Sequence, residues 1–150
     1  MTQTWRDYLG LMRSLTKTLE GLTQVERKKH EAASRGDLDG VEECMKREQV
    51  ISLTLRGYDQ KREKLLADLG MTGLTLNQME ERGPDEFQTE TKAVAEELRR
   101  QYKLFQGASQ VARDTLEINL RGIEQLQARQ AGDTAEAKET SKHHQTDFRA

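Results

Sequence analysis

The sequence predicts an all-α protein: an elongated antiparallel helical hairpin joined by a third long helix into a coiled-coil-like bundle, with one short helix between the second and third long ones. Three observations carry this expectation. Apolar residues recur three and four positions apart through three long stretches, the spacing that gives each helix one buried stripe. One proline in 150 residues leaves those stretches almost uninterrupted. Apolar residues make up 34% of the chain and charged residues 33%, so the core must be thin, as it is in a slender bundle. One domain is expected over 1–130, with helices at about 4–34, 38–69, 75–81 and 85–129, and a disordered tail over 131–150.

The first helix sets Trp5, Met12 and Leu19 seven apart, with Tyr8, Leu15 and Leu22 as the second heptad position. Its seam fades after Val25 into the charge run Glu26, Arg27, Lys28, Lys29, His30, Glu31, expected to be solvated on a rim or beyond the packed part. Gly36 suits the left-handed stop of this helix, and Asp37 can cap the next by accepting a backbone N–H bond. So short a connection implies antiparallel neighbours. In the second helix, positions 41, 44, 48, 51, 55, 58, 62, 65 and 69 read Val, Cys, Glu, Ile, Leu, Tyr, Arg, Leu and Leu. Gly70 ends it, and Thr75 with Gln78 forms a capping box for the short helix. Gly83, Pro84 and Asp85 break the chain again and open the third long helix. Its seam runs through Ala95, Leu98, Tyr102, Phe105, Ser109, Ala112, Leu116, Asn119, Ile123 and Leu126. Gly107, Ala108, Ser109 and Ala112 make its middle small, suited to close helix approach or a bend. The tail from Gln127 has Phe148 and no aliphatic residue larger than Ala, too little apolar surface to order itself.

The run from Leu55 to Gly70, LRGYDQKREKLLADLG, followed by LTLNQM from Leu74 to Met79, resembles the FlgN family of flagellar export chaperones. The similarity extends over roughly residues 5 to 127 and stops at the tail, which lacks the short aromatic and glycine-containing motif common in that family. The resemblance implies a helical, nucleotide-independent, cytoplasmic protein. Its clients would be hook–filament junction proteins of the FlgK and FlgL type, held export-competent through their C-terminal helical region, with the export apparatus as a further partner.

The residues themselves point to binding rather than catalysis. His30, His143 and His144 are the histidines; Glu26 and His30 share a helix face, but two ligands do not make a metal site. Cys44 lies on an apolar stripe with no base near it in sequence, the pattern of a core thiol. No glycine-rich phosphate loop appears, so no enzyme and no cofactor are expected. Interleaved charges and a net charge of −2 give no footprint for nucleic acid or an anionic membrane. No apolar run is long enough to span a bilayer and no signal-peptide pattern opens the chain, so a cytoplasmic location is the expectation. The candidate partner-binding residues are Leu116, Leu120, Ile123 and Leu126, at the end of a third helix about 68 Å long against hairpin helices of about 45 Å. The alternative is a coiled-coil module that pairs with a second copy of itself.

Overall fold

The computed structural model describes residues 2–131; of the side chains beyond Arg121 only Ala128 is included, and residues 132–150, with the expected disordered tail and its His143 and His144, lie outside the described residues. The protein is all-α, with no strand among the described residues. Helix α1 spans Thr2–Ser34, α2 Leu38–Asp68, α3 Leu76–Arg82 and α4 Gln88–Ala131. A single 3₁₀ turn, Asp85–Phe87, precedes α4, so the α-helical part begins three residues later than the spacing predicts. Pro84, at φ −57°, sets that turn.

The boundaries follow local chemistry. Gly36 takes φ +70° after α1, and the Asp37 carboxylate accepts the Gly40 N–H at 2.9 Å to cap α2. Gly70 at φ +69° ends α2, where the Met71 N–H reaches back to the Leu66 carbonyl at 2.8 Å. Thr75 and Gln78 close the capping box of α3 at 2.9 and 3.3 Å.

Helix α1 is the hub. Both α2 and α4 pack along it, while no Cα of α2 lies within 8 Å of one of α4 among the described residues. A helix with two partners must bury an arc wider than one heptad seam. Accordingly Leu9, Leu11, Thr16, Thr23 and Val25 are buried beside Trp5, Tyr8, Met12, Leu15, Leu19 and Leu22. Thr16 and Thr23 enter that arc by donating their hydroxyls to the Met12 and Leu19 carbonyls, at 2.8 and 2.9 Å, which satisfies the polar atom inside the helix itself.

The two pairings have opposite sense. Lys29 of α1 meets Glu48 of α2 at 2.8 Å, while Ala32 and Ala33 further along α1 meet Val41 further back in α2. That pair is antiparallel. Trp5 donates its indole N–H to Thr91, His30 meets Thr115, and Asn119 donates to the Ala33 carbonyl, at sequence separations of 86, 85 and 86. A constant offset over some 28 residues, about 42 Å of helix, means that α1 and α4 run parallel and in register.

Helix α3 closes the end where α1 begins. Met79 is buried, with Leu74 and Leu76 packed against the same core, and Arg99 of α4 binds Glu80 at 3.1 Å. Trp5 is fully buried there, and Gly83 lies against its ring: a Cβ added at Gly83 would come within 2.6 Å of Trp5 Cζ2.

Candidate partner-binding face

The end of α1 is packed rather than projecting. Ala32 and Ala33 are buried, and so is Glu26, at 2% exposure. This corrects the expectation of a solvated charge run. Glu26 and Lys29 turn toward α2, where the Lys29 ammonium lies 2.8 Å from Glu48 and 3.3 Å from Glu26. Glu26 Oε2, though within ion-pair reach, has no aligned hydrogen bond. Burial, then the shared hydrogen bond with Glu48, pushes the Glu26 carboxyl up to about 8. It therefore holds a proton at neutral pH, and Lys29 neutralises Glu48. Only Arg27, Lys28 and Glu31 of the run are exposed.

His30 turns the other way, its Nδ1 2.9 Å from the Thr115 hydroxyl on α4. Glu26 and His30 thus serve different interfaces. Cys44 is buried, and burial pushes its thiol above the ordinary value, which favours the uncharged, unreactive form. Among the described residues no three His, Cys, Asp or Glu side chains gather into a metal-binding group. No described helix is long and apolar enough to cross a membrane.

The candidate residues at the end of α4 divide. Leu116 is half-buried against Ala32, Ala33 and Val41, so part of its surface packs in the bundle. Leu120 is 38% exposed, and the side chains of Ile123 and Leu126 lie outside the described residues. At 44 residues α4 is longer than α1 at 33. With the in-register offset, Ser34 stands level with Leu120, and about three further turns of α4 extend beyond the end of α1.

A second apolar stripe lies upstream, beside the buried seam. Leu104, Val111 and Ile118 are 40%, 50% and 66% exposed and seven residues apart. Ala108 and Thr115 fall between them, partly covered, Thr115 by its contact with His30 of α1, while the three large apolar side chains stay exposed. Toward α1 the stripe borders an open groove of about 360 Å³ lined by Arg27, His30, Lys103, Leu104, Gly107, Ala108 and Val111. The sequence carried this signal in the seven-residue spacing of Leu104, Val111 and Ile118. It merged with the neighbouring seam, which lies one position away.

The segment that carries the family resemblance is mostly structural. Leu55, Leu66, Leu69 and Met79 are core, and Leu65, Leu74 and Leu76 pack against them. The charged part, from Asp59 to Glu63, lies at the surface, with only Arg62 partly covered. A smaller groove of about 300 Å³ lies there between Arg62, Glu63, Leu66, Thr72, Gly73 and Leu74. No family model, no curated protein and no solved structure matches the chain.

Proposed function

We propose that the protein is a non-catalytic export chaperone of the flagellar type, which binds a helical segment of a hook–filament junction protein and keeps it soluble before export. The observation that carries the reading is the exposed apolar stripe of α4, Leu104, Val111 and Ile118, on a helix whose backbone runs about three turns beyond α1. An amphipathic face of this length suits a client helix laid alongside it. A client that orders only on binding spends part of the interaction energy on its own folding, which keeps the complex releasable. The resemblance of Leu55–Gly70 and Leu74–Met79 to FlgN-like chains supplies the client class.

Co-expression with hook–filament junction proteins, followed by sizing chromatography, tests this. A one-to-one complex is expected. Truncation after Asn119 removes the overhang and should abolish the complex while most helicity persists. A chain that ran alone as a stable dimer and bound neither junction protein would instead establish a self-pairing coiled-coil module.

A further inference from the structure

We infer that the groove between α1 and α4 selects an amphipathic helix flanked by acidic residues, with Arg27 and Lys103 as the residues that read the partner's charge. This deepens the chaperone reading and rests on it for the partner's origin, but not for the groove's chemistry.

The apolar floor is Leu104, Ala108 and Val111, continued by Ile118. It runs about 21 Å, two heptads of a docked helix. The rim is cationic: Arg27 and Lys103 are exposed and form no ion pair among the described residues, and His30 stands beside them. Two acidic groups on the same side of α4 are already engaged. Glu97 is held by Arg100 at 2.8 Å and by Gln101 at 3.0 Å, which keeps its carboxyl at about 2, and Asp114 accepts from Gln110 at 2.8 Å. An incoming helix therefore meets two cations that form no ion pair among the described residues, over an apolar strip. Aspartate or glutamate beside its own apolar stripe completes both.

Charge also decides against the other occupants. Antiparallel self-pairing centred on Val111 would bring Arg121 of each copy opposite Gln101, one residue from Arg100, of the other, and parallel pairing would set Lys103 against Lys103. Val50 and Leu53, two exposed apolar residues of α2, are accompanied by Lys46 and Arg56, which repel the same rim. Residues 132–150 offer Phe148 and no large aliphatic, so they lack the anchors for a two-heptad floor.

Two fluorescent three-heptad peptides test the inference, both with leucine at the core positions, one with glutamate and one with lysine at the flanks. The full-length protein should bind the glutamate peptide about tenfold more tightly in an anisotropy titration, with the preference shrinking as salt rises. Arg27→Glu with Lys103→Glu should invert the preference, and Val111→Asp should abolish binding of both peptides. All three positions are exposed, and circular dichroism verifies that each variant remains folded. Equal affinity for the two peptides, or a preference that survives the charge reversal, would overturn the inference. A dimer dissolved by Val111→Asp would overturn it too, by giving the groove to a second copy. Binding of the glutamate peptide without any junction-protein complex would leave the groove standing and remove the export role. A junction-protein complex indifferent to both variants would do the reverse.

Discussion

Glu26 shows how a residue's neighbours overrule its type. Read along the chain it belongs to a solvated charge run, yet the wide buried arc of α1 places it against Glu48 and Lys29 inside the α1–α2 interface. The clue in the sequence was on the other helix, where Glu48 interrupts an apolar stripe and requires a partner. The consequence is a pH dependence with a definite sign. In the unfolded chain Glu26 ionises near 4.5; in the fold it keeps its proton to about 8. Below 4.5 both states are protonated and the contribution is complete. As pH rises through that interval the unfolded state gives up its proton first, so this contribution declines and is lost above about 8. Glu26→Gln removes the titration, so the variant should gain stability over the parent between pH 5 and 8, by an amount of order 2 kcal/mol. Thermal melts of the two proteins across that range should diverge steadily; a constant difference would mean that Glu26 is ionised in the fold.

At the scale of elements, the stops and starts were legible because they depend on a few neighbouring residues. Gly36, Asp37, Gly70 and the Thr75–Gln78 pair act where the sequence places them. The heptad positions of α1 were equally plain. What the pattern could not show is that α1 faces two helices, because Thr16 and Thr23 are polar by composition and become compatible with burial only through their own helix's carbonyls. The same holds for Asn119, a polar residue in an apolar seam. Its amide donates to the Ala33 carbonyl, which also accepts the Gly36 N–H in the last turn of α1, and so fastens the end of α1 to α4. Asn119→Ala should cost about 1 kcal/mol in a denaturant titration. Ile118→Ala, at a neighbouring but 66% exposed position, should change stability by less than about 0.5 kcal/mol. Equal effects at the two positions would remove Asn119 from this role.

For the molecule as a whole, one arrangement accounts for both its stability and the proposed binding. Helix α1 supplies most of the core, α2 and α3 close one side and one end, and α4 is shared between the bundle and the outside. Its buried seam, through Ala95, Leu98, Phe105 and Ala112, fixes it to α1. Its second stripe, Leu104, Val111 and Ile118, is exposed, and the proposed client would lie there. The sequence singled out the end of α4, where Leu116 is half-buried on the bundle; it did not reveal the upstream stripe, because two heptad patterns one position apart merge in a single list of apolar residues. Hydrogen exchange of the free protein and of its complex with a junction protein tests this division of α4 most directly. The account predicts new protection confined to α4 from about Leu104 onward, with the α2 surface around Val50 and Leu53 unchanged. Protection appearing on α2 while α4 exchanged as in the free protein would contradict it.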